Sequence, residues 1–266
     1  LNECCSGYFF YHIGFYALAK RVETNTFLLA LTLVLKKESQ MSRRIFIARH
    51  GQPSIESLAP AVNHEYPPGD PVLSDLGALQ SEKLAAELLA RGFSGILCSS
   101  PYLRTIYTML PLSQRLAQPM HLVAPVQEIA FAEKPNTDGK GWRQAFALYP
   151  QSFANKLEDD WVLPGPETRE QVLARCGQFL QTELSASAGD LLIIGHGAST
   201  MALLHFMLAK EQNLLENHHL WNCALSEFAV HEGKFEAKML AYTDFLADDE
   251  VSSNLKMRRD ENISSA

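Results

Sequence analysis

Two stretches of this chain share one plan: Ile45-Phe46-Ile47-Ala48-Arg49-His50-Gly51 and Leu191-Leu192-Ile193-Ile194-Gly195-His196-Gly197. Each opens on four apolar residues, the length and pattern of a strand buried on both faces. Each then runs into a histidine beside glycine. A third stretch, Ile96-Leu97-Cys98, leads into Ser99-Ser100-Pro101, with Arg104 one helical turn further on.

Helices are predicted between these strands. Ser74 is a candidate N-cap for a helix reaching Arg91, with Leu76, Leu79, Leu84 and Leu88 on one stripe and Gly92 ending it. Further helices are expected over 102–117, over 167–184 with Val172, Cys176, Phe179 and Leu180 buried, and over 198–208. Leu122-Val123 reads as a weak strand, and 228–230 and 235–240 flank Glu232-Gly233 as a hairpin. Alternating strands and helices predict an α/β fold, three layers α/β/α around a mostly parallel sheet.

Composition narrows the function. The 266 residues are 47% hydrophobic and 20% charged, ordinary globular usage that excludes fibrous and wholly disordered classes. Twenty-three basic residues against 30 acidic ones leave a net charge of −7, which argues against nucleic acid as a partner. Five cysteines stand at 4, 5, 98, 176 and 223 without a CxxC pair, so a disulfide framework is not expected and a reducing, cytoplasmic setting is. The acids, histidines and cysteines lack the spacing of a zinc site. The sequence also lacks an apolar run long enough to span a bilayer.

Residues 1–40 differ from the rest. They carry Tyr8-Phe9-Phe10-Tyr11 and a nine-residue apolar run from Phe27 to Leu35, whereas Met41 opens the first strand. Met41 is therefore expected to be the functional start, with 1–40 an N-terminal extension. The domain is expected over 41–247, and the polar residues 248–266 as a loose tail.

In an open parallel sheet, ligands bind beyond the carboxyl ends of the strands. Arg49, His50, Arg104 and His196 all fall there. Two histidines and two arginines form a phosphate-handling set, because a neutral imidazole can accept a phosphoryl group and guanidinium groups hold its oxygens.

With these residues in view, the chain resembles the histidine phosphatase superfamily, the phosphoglycerate-mutase-like fold. Arg49-His50-Gly51 matches the family's signature tripeptide, and residues 70–77 (DPVLSDLG) with Gln80 match the entry to its first helix. Residues 99–105 (SSPYLRT) resemble the segment of its second phosphate arginine, and residues 164–167 (PGPE) its lead into the long helix. Glu128 stands where the family places an acidic proton donor, and Gly195-His196-Gly197 carries the second histidine. The resemblance implies that His50 is the nucleophile, that Glu128 and His196 complete the catalytic set, and that Arg49, Arg104, Gly51, Ser54 and Gly197 bind phosphate. It implies no metal and no cofactor.

The chain also departs from the family pattern. Gln52-Pro53-Ser54 follows the tripeptide, and Pro53 has neither hydroxyl nor N–H, so a phosphate contact would pass to Ser54. Tyr107 replaces a glutamine, and Phe131-Ala132-Glu133-Lys134-Pro135 replaces the usual segment after the acid, which leaves Glu133 as a second candidate donor. Residues 131–165 are expected to lie over the pocket without an excess of basic charge, Trp142 and Trp161 either lining it or packing beneath it. The expected activity is hydrolysis of a small phosphorylated metabolite through a phosphohistidine. The alternatives are a phosphoglycerate-mutase-type phosphotransferase and a phosphate-binding or partner-binding pseudoenzyme; a homodimer is compatible with all of them.

Overall fold

Alternate residues of the first strand serve two different cores. In β1 (Arg43–Arg49), Phe46 and Ala48 join one buried cluster while Ile45 and Ile47 join the other. A strand flanked by helices on both sides must be apolar on both of its faces, which is why IFIA reads as a continuous run. The computed structural model describes residues 43–54, 69–131, 137–158, 160–209, 211–216 and 218–253, and the backbone of 256–257. The N-terminal extension, Glu133 and the tail from residue 258 lie outside the described residues.

The elements that follow are α1 (Asp75–Ala90), β2 (Ile96–Ser99), α2 (Leu103–Leu116), β3 (Met120–Leu122), α3 (Gly141–Leu148), α4 (Arg169–Ala186), β4 (Leu191–Gly195), α5 (Gly197–Leu208), β5 (Leu225–His231) and β6 (Lys234–Tyr242). A short pair, β7 (Ser252–Ser253) and β8 (Lys256–Met257), closes the described chain. The main sheet has the order β3-β2-β4-β1-β5-β6. Its first four strands are parallel, and the β5–β6 hairpin adds two antiparallel strands at one edge. One cluster joins the sheet to α1, α2 and α3, the other to α4 and α5. The architecture is the expected three-layer α/β sandwich. Among the described residues no helix is long and apolar enough to cross a membrane.

Local signals account for most boundaries. Ser74 caps α1 by accepting the Gly77 N–H at 3.0 Å, and Gly92 follows the helix with φ +68°. Thr168 and Gln171 form a capping box at the start of α4. Glu232 and Gly233 both have positive φ, the conformation of a tight hairpin turn. The expected helix over 102–117 forms as α2 with Pro111 inside it, where burial of Ile106, Met109, Leu110 and Leu112 outweighs the missing N–H. The stretch 131–165 contains α3, whose eight residues offer little periodicity to read. One expectation needs correction: the tail is integrated further than residue 247, for Val251 and Ser252 are fully buried, and Ser252 Oγ accepts from Gln80 Nε2 at 2.9 Å.

Gly77 shows how closely α1 approaches the turn after β1. A Cβ there would lie 2.1 Å from the Gln52 carbonyl oxygen, a backbone atom that cannot swing away. Gly77→Ala is expected to destabilise the fold by about 1–3 kcal/mol, the usual cost of overpacking. Urea unfolding measures it, and an unchanged midpoint would contradict the close approach.

Candidate active site

Strand register brings the two histidines together. β1 and β4 run parallel with Arg49 opposite Gly195, so the next residues, His50 and His196, leave the sheet side by side. The His50 N–H donates to the Gly195 carbonyl at 3.0 Å, and the ring centroids are 5.3 Å apart. On the other side of β4, β2 ends with Ser99 opposite Ile194. Ser100 therefore follows next to His196, its Oγ 2.8 Å from His196 Nε2.

The tautomer of His50 follows from one hydrogen bond. Its Nδ1 lies 2.7 Å from the Gly51 carbonyl oxygen, which can only accept. Nδ1 therefore carries the proton and Nε2 the lone pair. Burial, then the positive charges of Arg104 and Arg49, hold the imidazole well below its ordinary pKa. His50 therefore rests neutral, with its Nε2 lone pair unprotonated. Asn222 Nδ2 donates to its carbonyl at 3.0 Å and fixes the backbone. His196 is likewise neutral, held down by burial first and then by Arg104 and His50.

The arginines approach from different elements. Arg104, in the first turn of α2, lies with its guanidinium 4.5 Å from the centre of the Tyr102 ring. Tyr102 also packs edge-on against His196 and Trp161, with centroids at 5.0 and 5.5 Å. Arg49 is anchored through Nη1, which donates to the Leu220 carbonyl at 2.8 Å and to Ser253 Oγ at 3.0 Å. The C-terminal segment thus helps to place a residue of the signature tripeptide.

Asp70 stands behind Arg104. Its Oδ1 accepts the Leu103 N–H at 2.8 Å and lies 4.0 Å from Arg104 Nη1, while Oδ2 is buried without a hydrogen-bond partner. Burial pushes this carboxyl up to about 7, against the pull of Arg104 and the Leu103 N–H. Between its ordinary 3.8 and about 7, the folded protein therefore holds a proton that the unfolded chain has lost. Stability falls as pH rises through that window. Asp70→Asn removes the dependence, so the variant is expected to gain on the wild type between about pH 5 and pH 8. Urea unfolding at the two pH values checks this; an equal difference at both contradicts it.

Glu128 is gripped by backbone. Its Oε1 accepts the N–H groups of Ile129 and Ala198 at 2.9 and 3.0 Å, and Oε2 accepts that of Gly197 at 3.2 Å. The carboxylate thereby caps α5 where the helix dipole favours negative charge. Arg175 of α4 secures the same loop from behind. It pairs with Glu167 at 2.8 Å and donates to the carbonyls of Pro125, Gln127 and Glu128. Glu167 in turn accepts the Ala130 N–H at 3.1 Å. Glu128 lies within electrostatic reach of both Arg49 and Arg104.

The structure thus gathers His50, His196, Arg49, Arg104 and Glu128 at one end of the sheet. Gly51 and Gly197 are there too, but their N–H groups are already engaged, by Thr108 Oγ1 at 2.9 Å and by Glu128, so neither amide is free for phosphate in this structure. Ser54 lies on the strap leaving β1, its N–H bonded to the Val72 carbonyl at 2.8 Å. Trp142 and Trp161 are both buried and serve packing. Ser100, Tyr102, Thr108, Asn222, Arg175 and Ser253 support the site without having been singled out. Ser100 and Tyr102 adjoin a strand end and were within reach of sequence reasoning; Asn222 and Ser253 carry no local signal.

Comparisons with known proteins bear on the fold and the family. A family model described as the histidine phosphatase superfamily (branch 1) matches residues 45–243. A Hydrogenobacter thermophilus protein named "Putative phosphoserine phosphatase 2" is 26% identical over 194 residues, covering 72% of this chain and 92% of that protein. Among solved structures, a variant phosphoserine phosphatase of Entamoeba histolytica in complex with phosphoserine superposes with TM-score 0.55 at 16% identity, covering 77% of this chain and all of the other. A mycobacterial glucosyl-3-phosphoglycerate phosphatase with inorganic phosphate gives TM-score 0.52 at 22% identity and the same coverage. With the match spanning the sheet, both histidines and the hairpin, this chain belongs to the histidine phosphatase superfamily, branch 1.

Proposed function

We propose that this protein is a metal-independent phosphomonoester hydrolase that acts on a small phosphorylated metabolite through a phosphohistidine at His50. The observation that carries the reading is the hydrogen bond from His50 Nδ1 to the Gly51 carbonyl, which leaves the Nε2 lone pair available beside His196 and Arg104. In the first step Nε2 attacks the phosphorus of an ester monoanion, the ester P–O bond breaks, and the ester's own proton passes through the Glu128 carboxylate to the departing alcohol oxygen. Arg49, Arg104 and His196 hold the equatorial oxygens, whose charge must be met through the transition state. In the second step water attacks phosphorus, Glu128 takes its proton, and the N–P bond breaks to release phosphate and restore neutral His50.

The half-buried acid and its backbone anchors favour an enzyme over a phosphate-binding pseudoenzyme, since binding alone requires no acid. The phosphoserine and glucosyl-3-phosphoglycerate phosphatases among its relatives support hydrolysis over transfer. A cytoplasmic setting belongs to the same reading, supported by the odd number of cysteines.

Release of inorganic phosphate from p-nitrophenyl phosphate and from phosphoserine, with EDTA present, tests the proposal. EDTA-resistant turnover with water as acceptor is expected. Release of the alcohol without inorganic phosphate, the phosphoryl group appearing on a second hydroxyl compound, would establish the transferase instead.

A further inference from the structure

The three backbone N–H groups that grip Glu128 have a second property in common: Ile129, Gly197 and Ala198 all line a groove of about 550 Å³. The groove runs from the start of α5 along the cleft between α4 and α5. Its walls are largely apolar, with Leu173 and Met201 facing across the cleft and Phe131, 82% exposed, beside them. Arg169, Glu170 and His205 are its polar members. Neither the phosphate chemistry nor the core explains an exposed phenylalanine two residues beyond Ile129. The volume lies within the range of small-molecule sites, roughly 300–1,000 Å³.

The position of Glu128 gives the groove a meaning. A general acid must lie within hydrogen-bond reach of the oxygen it protonates. That oxygen carries the organic part of the substrate, which leaves the phosphorus on the side away from His50. The organic part therefore departs past Glu128, and the three residues whose N–H groups hold that carboxylate line the groove.

We propose that this groove is the leaving-group subsite, and that the substrate is a phosphomonoester whose alcohol carries an apolar body. The inference rests on the phosphohydrolase reading above. A serine-sized alcohol would leave most of the groove unfilled.

Ethyl and hexyl phosphate provide the test on the full chain, because both release an unactivated primary alcohol and differ only in apolar length. Each methylene buried is worth up to about fourfold in affinity for the transition state. Hexyl phosphate is expected to exceed ethyl phosphate in kcat/KM by at least about tenfold. Met201→Glu places a carboxylate in the groove and is expected to bring the ratio towards one. Equal kcat/KM for the two esters in the wild type overturns the proposal and leaves the phosphohydrolase reading standing; so does a ratio unchanged by Met201→Glu. Should that variant fail to fold, the wild-type comparison decides alone. Failure to hydrolyse any monoester overturns the phosphohydrolase reading itself and the subsite with it.

Discussion

His50→Ala is expected to lower kcat by roughly ten-thousand-fold or more, for every ester tried, while the protein remains folded. The magnitude is that of removing a nucleophile from a site whose other groups still bind and polarise the substrate. His50 is buried, but its removal leaves the Gly195 carbonyl bond intact, because that bond comes from the backbone N–H. Circular dichroism should therefore be unchanged. Rapid acid–base quenching of the wild type with labelled substrate should trap an acid-labile, base-stable phosphoenzyme, and the variant should trap none. A variant that retained a tenth of the wild-type rate would remove His50 from the chemistry. The pH profile gives a second reading. Burial and the two arginines keep His50 neutral below the ordinary imidazole pKa. As pH falls, kcat/KM should hold until well below about 6.5, since that parameter reports ionisations of the free enzyme.

Glu128→Gln is expected to act on one kind of substrate more than another. General acid catalysis contributes typically 10²–10⁴-fold, and the benefit is realised where the leaving oxygen needs a proton. An alkyl phosphate should lose about that factor, whereas p-nitrophenyl phosphate, whose phenolate departs without help, should lose far less. The amide oxygen of glutamine can take the place of Oε1 and accept the Ile129 and Ala198 N–H groups, while the Gly197 N–H loses its acceptor, so part of the cap on α5 is kept. Parallel measurements with ethyl and p-nitrophenyl phosphate decide the matter. Equal losses for both would mean that Glu128 serves only to cap the helix.

Glu133, the other acid raised by the sequence, lies outside the described residues, so the choice of Glu128 rests on its own geometry. That geometry was partly legible. The placement of Glu128 came from motif order alone. The three N–H groups that hold it, and the Arg175–Glu167 pair behind its loop, join residues up to 70 positions apart. No local pattern announces such contacts. The same limit explains the tail. Apart from Val251, which packs with Trp221 and Leu246, residues 248–253 are polar and lack periodicity, yet Gln80 and Asn222 receive Ser252 within the core, and Ser253 accepts a hydrogen bond from Arg49. One apolar residue and hydrogen bonds between specific partners draw this segment in, which composition does not reveal. The short helix α3 escaped for another reason: eight residues are two turns, too few for a stripe to stand out.

The strands, the main helices and the residue types that end them were legible before the chain was folded. Side-chain periodicity, capping and turn chemistry are local, and each leaves its mark within a few residues. Ser74 before α1, Gly92 after it and Glu232-Gly233 between β5 and β6 are of that kind. Only the tertiary structure decided what those residues do together. Strand order is a long-range choice, and β4 between β1 and β2 is what sets His196 beside both His50 and Ser100. Burial around that meeting point then holds both imidazoles neutral and drives the Asp70 carboxyl up. Desolvation depends on every neighbour that excludes water, so it exists only once the chain has folded.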